Sequence, residues 1–216
     1  MAATRALVVL LTGPSGSGKS RVAERSGLPV VALDDFYKDG SDDTVPRVHG
    51  VANWESPAAW NAPDALHALV RLSYDRRAEL PVYDKATDAR TGSQVIEIGD
   101  APAYVAEGIF AAELVKSCRD YAILGDALCL QRSATVTFAL RLGRDLREKR
   151  KPPAVLLQRG WALRAQEAGL VAARVALGAR ACTPREAQAA IRAVADRAKT
   201  EGSAADGSGA AGSADL

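Results

Sequence analysis

ALVVLLTGPSGSGKS, residues 6–20, is the stretch from which the rest of the chain is read. It opens on an unbroken apolar block, Ala6 to Leu11. A short, continuous, valine-rich run of this kind predicts a buried strand over residues 5–12. Three glycines, a proline and two serines follow before Lys19. A flexible linker would need no lysine, and a packed turn would need fewer glycines.

Gly13-x-x-x-x-Gly18-Lys19-Ser20 is the complete P-loop pattern, placed between a strand and the start of a helix, where the pattern has to be. Gly13, Gly16 and Gly18 let the backbone fold back so that several N–H groups, with Ser15 and Ser17 between them, face one phosphate chain. The helix that begins at Lys19 adds its positive end. Lys19 brings a full charge to the outer phosphates, and the Ser20 hydroxyl is of the type that ligates Mg²⁺. At average residue usage the fixed positions coincide by chance in only about 1% of chains of this length. The expected ligands are therefore ATP and Mg²⁺.

The remaining chain suits one α/β domain. Its 216 residues are 48% hydrophobic and 25% charged, enough to bury a core without disulfides or a structural metal. A net charge of +2 makes no global case for nucleic acid or a membrane surface as partner. Cys118, Cys129 and Cys182 stand far apart and form no metal or disulfide pattern, which predicts buried thiols. No apolar run approaches the roughly 18 residues of a membrane span. Arg5 and the six apolar residues after it imitate a secretory signal, but the run is short and ends in a glycine loop, so a cytoplasmic location is expected. The expected partner is a small-molecule substrate, with a homo-oligomer left open.

Further elements follow from pattern. Lys19–Ser26 predicts a helix stopped by Gly27 and Pro29, and Val30–Leu33 a second strand. Residues 38–61 read as loop. A helix is predicted over Pro63–Leu72 with Asn61 or Asp64 near its start, then strands at Val95–Ile98 and Ala103–Ala106, a short helix over 110–117 and a buried strand at Ala127–Leu130. Helices are also expected from Thr135 to about Lys149 and from Ala154 to Ala168. Thr183-Pro184-Arg185-Glu186 is a capping box opening a last helix to about Ala198. The small, polar stretch from Thr200 to Leu216 is expected to be a disordered tail after a P-loop domain spanning 1–199. Short strands alternating with helices predict an α/β fold with a mainly parallel sheet and helices on both faces, the P-loop NTPase arrangement.

A P-loop does not name a reaction, so the second half of the site has to. The second strand runs into Asp34-Asp35-Phe36-Tyr37, and strand carboxyl ends face the ligand crevice of an open α/β sheet. A carboxylate there can accept a proton from an attacking hydroxyl or help hold a metal; an acidic cap is the plainer alternative. Glu107, after the strand at 103–106, is placed to support Mg²⁺. The cationic run 141–152 is a solvated helix face by default, or a lid around 141–153 bringing Arg141 and Arg144 over the phosphates.

Gly13–Ser20, Asp34–Tyr37, Pro81-Val82-Tyr83-Asp84, Ala106-Glu107-Gly108-Ile109 and Arg144-Asp145 together resemble the uridine kinase family, over about residues 5–151. The resemblance implies a kinase transferring the ATP γ-phosphoryl group to the 5′-hydroxyl of a nucleoside. It implies Asp34 as general base, Asp35, Tyr37, Tyr83 and Asp84 on the acceptor side, Glu107 as the acid after the strand, and Arg141 with Arg144 in the lid. Three positions depart from the family pattern, the first being Asp35 in place of a common serine. Glu55 stands where an aspartate is usual, and Asp88 where nucleoside-specific members often carry histidine. A histidine donates to a pyrimidine carbonyl and an ionised aspartate cannot. Those departures favour a different alcohol as acceptor; a slow regulatory ATPase is the rival of another class.

Overall fold

In the computed structural model the described residues are 5–131 and 169–208, with side chains described to Gly202. A five-stranded, fully parallel sheet runs in the order β2-β7-β1-β8-β9. Its strands are β1 Leu7–Thr12, β2 Val30–Ala32, β7 Ala103–Glu107, β8 Leu124–Leu130 and β9 Arg180–Cys182. Two antiparallel ribbons stand apart from it, β3 (Arg47–Val48) with β4 (Val51–Ala52) and β5 (Arg77–Asp84) with β6 (Ala89–Glu97). The helices are α1 Lys19–Glu24, α2 Ala62–Asp75, α3 Val115–Asp120, α4 over residues 169–176, and α5 Pro184–Ser208.

Why β1 is apolar from Leu7 to Leu11 follows from the period of two in a strand. Val8 and Leu10 point into one core with Leu69 and Leu72 of α2 and Val115 of α3. Leu7, Val9 and Leu11 point into the other with Val22 of α1 and Ile191 and Val194 of α5. A strand covered on both faces has no position left for a polar side chain. Tyr104 is the exception on β7. Its ring is fully buried and its hydroxyl donates to the Leu69 carbonyl at 2.7 Å, with Ser73 Oγ 3.0 Å away, which satisfies the polar tip.

Local signals place the helix starts. Asn61 caps α2, accepting from the Asp64 N–H at 3.3 Å, and Pro63 sits in its first turn. At α5 the box is reciprocal: Glu186 N–H donates to Thr183 Oγ1 and Glu186 Oε2 accepts from Thr183 N–H at 2.7 Å. That helix runs on to Ser208, past the expected end near Ala198 and into the expected tail.

Other boundaries also moved. The stretch 38–61 is not all loop: it holds β3, β4 and a 3-10 turn at Pro57–Ala59. Residues 110–117 form a 3-10 turn at Ala111–Leu114 that leads into α3. Of Val95–Ile98, the first three residues prove to be the end of a nine-residue strand paired with β5, and Ile98 lies just past it; the periodicity did not mark the rest because both strands are half-exposed. The three cysteines are free and buried, and burial pushes the Cys118 thiol up to about 12. No helix among the described residues is long and apolar enough to cross a membrane. The helices expected over 135–149 and 154–168, and the lid with Arg141 and Arg144, lie outside the described residues.

Candidate functional site

β1 is central, and its chain neighbours depart on opposite sides: β2 and β7 to one, β8 and β9 to the other. The carboxyl end of such a strand is the switch point where an open α/β sheet leaves a crevice. Here that end is the P-loop.

The loop's glycines are needed for shape. Gly13, Gly16 and Gly18 have φ of 145°, 79° and 90°, conformations that side chains resist. A Cβ on Gly13 would stand 2.8 Å from the Leu130 carbonyl and 3.1 Å from Ser17 Oγ. Ser17 N–H closes a turn onto the Pro14 carbonyl at 3.1 Å, while Ser15 is exposed at the crest. Lys19 is buried and folds back over the loop, its Nζ donating to the Gly13 and Pro14 carbonyls at 3.0 and 3.3 Å. Burial lowers its pKa, with the charges of Glu107 and Asp34 acting against that. Those two carboxylates are therefore its close electrostatic neighbours.

Ser20 Oγ donates to Glu107 Oε1 at 2.8 Å, joining the first turn of α1 to the end of β7. Burial raises the Glu107 pKa, countered by the Ser20 hydrogen bond and by Lys19. A hydroxyl and a carboxylate side by side are hard oxygen donors, the kind Mg²⁺ takes in pairs when phosphates and water complete its shell. Among the described residues no group of three or more His, Cys, Asp or Glu side chains could hold a metal ion. The donor set fits Mg²⁺, and the loop fits a polyphosphate.

Asp34 lies in a 3-10 turn (Leu33–Phe36) directly after β2. Gly108 is what allows it so close to Glu107: a Cβ there would stand 2.8 Å from Leu33 Cβ and 3.4 Å from Asp34 Oδ1. The free oxygen of Asp34 pairs with Lys85 Nζ at 2.9 Å. Asp35 is turned toward β5 instead, where the Tyr83 backbone N–H and Lys85 oppose the upward push of burial on its pKa.

The side of the crevice beyond Asp35 is aromatic. Tyr37 packs against Trp54, Tyr83 and Phe110 with ring centroids 5.6, 5.7 and 6.0 Å away. Its hydroxyl is committed to the Trp54 carbonyl at 3.0 Å, so Tyr37 offers a wall rather than a polar contact. Tyr83 differs: its hydroxyl is buried without a hydrogen-bond partner among the described residues, and burial with the nearby carboxylates of Asp88, Asp39 and Asp84 pushes it up to about 12. Beyond the rings opens a cavity of about 660 Å³, lined by Asp39, Arg47, Trp54, Asp88 and Arg90 among others.

Of the residues singled out from the sequence, Gly13, Gly16, Gly18, Lys19, Ser20, Glu107 and Asp34 converge at one place, with Ser15 and Ser17 in the same loop. Tyr37 and Tyr83 form the adjoining wall. Asp84 does not join them: it caps the tip of the β5–β6 hairpin, accepting from Ala86 N–H at 2.9 Å and Thr87 Oγ1 at 3.0 Å. Lys85 and Trp54 were missed as site residues, although both adjoin stretches that had been noticed. Arg174 of α4 was missed too, and no local pattern marks it.

Known proteins resemble this arrangement. A uridine kinase of Limosilactobacillus reuteri (strain DSM 20016) is 28% identical over 112 residues, 49% of this chain and 50% of that protein. A uridine kinase of Saccharomyces cerevisiae is 30% identical over 156 residues, 66% of this chain and 31% of that one. The chain is uridine kinase-like. In these alignments it spans half or less of those relatives' length. The crystal structure of a proposed fructose transport system kinase from Silicibacter sp. TM1040 matches the uridine kinase-like chain with a TM-score of 0.55 and 22% identity, covering 83% of this chain and 88% of that one. At that identity the likeness is one of fold, the α/β P-loop NTPase fold. No family model matches.

Proposed function

We propose that the chain is an ATP-dependent, Mg²⁺-requiring phosphotransferase that moves a γ-phosphoryl group to the hydroxyl of a small molecule, a nucleoside such as uridine being the leading acceptor. The observation that carries this is the meeting of Lys19, Ser20 and Glu107 with Asp34 at the carboxyl ends of β1, β7 and β2. A site that only bound nucleotide would need the first three and not the fourth.

Each residue has a definite task. The amides of residues 13–20 and Lys19 hold the polyphosphate, and the lysine exchanges its two loop carbonyls for phosphate oxygens. Ser20 and Glu107 would hold Mg²⁺, which when bound neutralises charge on the phosphates. Asp34 accepts the proton of the attacking hydroxyl. Its position beside Lys19 and Glu107, with Asp35 held on the β5 backbone, favours Asp34 over Asp35 as the base. The Tyr37–Trp54–Tyr83 wall would carry the rest of the acceptor by stacking.

A non-nucleoside alcohol is favoured by one observation, the carboxylates Asp39 and Asp88 on the cavity beyond the wall. They accept hydrogen bonds and would suit an acceptor rich in hydroxyl or amino donors. The deciding experiment is ADP release with Mg·ATP against a panel of nucleosides, pantothenate and sugars, with Asp34→Asn as control. Stimulation by uridine or cytidine that the variant loses supports a nucleoside kinase. Stimulation by another alcohol keeps the mechanism and changes the acceptor. A flat panel above slow hydrolysis sinks the phosphotransfer reading and leaves a regulatory ATPase.

A further inference from the structure

Helix α4 brings to the P-loop a cation that the reading above leaves unused. Arg174 reaches the carboxyl ends of the central strands, where its Nε donates to the Ile109 carbonyl at 3.2 Å. The same carbonyl accepts from Thr12 Oγ1 at 3.0 Å, and Thr12 is the residue before Gly13. Cys129, which lies opposite Thr12 in the β1–β8 register, is another electrostatic neighbour of the guanidinium. Arg174 thus stands at the root of the phosphate loop, two residues past Glu107 on one side and one before Gly13 on the other.

Two features of Arg174 are unfavourable by themselves. Arg174 sits close enough to Lys19 for its charge to help lower the lysine's pKa. Its Nη1 is also buried with no hydrogen-bond partner among the described residues. A purely structural arginine, tying α4 to the turn after β7, would need only the Nε bond. It would not be set against a second buried cation, and a charged donor would not be left unpaired, since that is the costly arrangement. An anion between Arg174 and Lys19 relieves both.

We propose that Arg174 is a phosphate-contacting residue of this site: Nε fixes the guanidinium on the Ile109 carbonyl, and Nη1 donates to an oxygen of the polyphosphate that the loop holds. This rests on the nucleotide reading. It also requires arginine, because the two tasks fall on two nitrogens of one rigid fork, and a lysine has a single point of donation.

The test is calorimetric titration of the full chain with inorganic tripolyphosphate and with Mg·ATP, comparing wild type, Arg174→Met and Arg174→Lys. Arg174→Met should bind both ligands about 10- to 100-fold more weakly, the worth of one charge-assisted hydrogen bond, with Arg174→Lys in between. The ligand-free melting temperatures should stay together. Undiminished binding by Arg174→Met overturns the proposal and leaves the nucleotide reading standing. Failure of the wild type to bind either ligand overturns both. If Arg174→Met does not fold, Arg174→Lys decides alone: at least fivefold weaker binding supports the contact, and equal affinity overturns it.

Discussion

The two ends of this site, the P-loop and the aromatic wall, are built differently. The P-loop is anchored in β1, a strand buried along its whole length, and is shaped by Gly13, which has no room for a Cβ, and by Gly16 and Gly18 at positive φ. The aromatic wall takes Tyr83 from the β5–β6 ribbon, which lies outside the main sheet and exposes much of its surface, and Tyr37 and Trp54 from the segment between β2 and α2. Phosphates are the same for every acceptor, so their cradle can be rigid and deeply packed. The exposed residues of the ribbon can change without disturbing the core, whereas Ala78 and Leu80 of β5 are part of it. The positions that depart from the uridine kinase pattern, Asp35, Glu55 and Asp88, all lie outside the P-loop.

The sharpest test of that division is at its boundary. Asp34→Asn should lower acceptor-stimulated turnover by about 10²- to 10⁴-fold, the usual worth of a general base, while the affinity for Mg·ATP holds. Measured kcat and ATP Kd decide it, and equal losses in both would assign Asp34 to the nucleotide half.

Paired glycine substitutions come next. Gly13→Ala forces a Cβ to within 2.8 Å of the Leu130 carbonyl at a φ of 145°, and strain of this kind costs about 1–3 kcal/mol. Gly92→Ala, in β6, meets nothing within 4 Å and should change stability by no more than about 0.5 kcal/mol. Denaturant melts of both variants would break the comparison if the two costs came out alike.

The smallest effect is expected at Tyr83. Tyr83→Phe removes a buried hydroxyl that has no partner among the described residues, so the ligand-free protein should keep its stability or gain up to about 1 kcal/mol. If the hydroxyl serves the acceptor, its KM should rise while ATP affinity stays the same. Steady-state kinetics with the acceptor varied will show which half Tyr83 belongs to.

How far the sequence could be read tracks how local the information is. The P-loop, the capping box at Thr183 and the cap at Asn61 are contiguous signals, each closing hydrogen bonds within a few residues, and all three stand where they were expected. The β5–β6 hairpin was half seen, because strands that are partly exposed on both faces lose the apolar alternation that marks a strand. The Asp34–Lys85 ion pair spans 51 positions and the Arg174–Ile109 bond spans 65. No periodicity encodes such distances.

The sequence by itself determined that the chain has a phosphate loop on an α/β scaffold, because that loop's chemistry depends on residue types at fixed short spacing. Only the tertiary structure decided which carboxylate of Asp34-Asp35 faces the lysine, that Asp84 serves a hairpin turn, and that an arginine from α4 stands at the loop's root. Those outcomes depend on how β2, β5, β7 and α4 pack around β1. Packing is settled by the burial of both faces of the sheet together, not by any one segment.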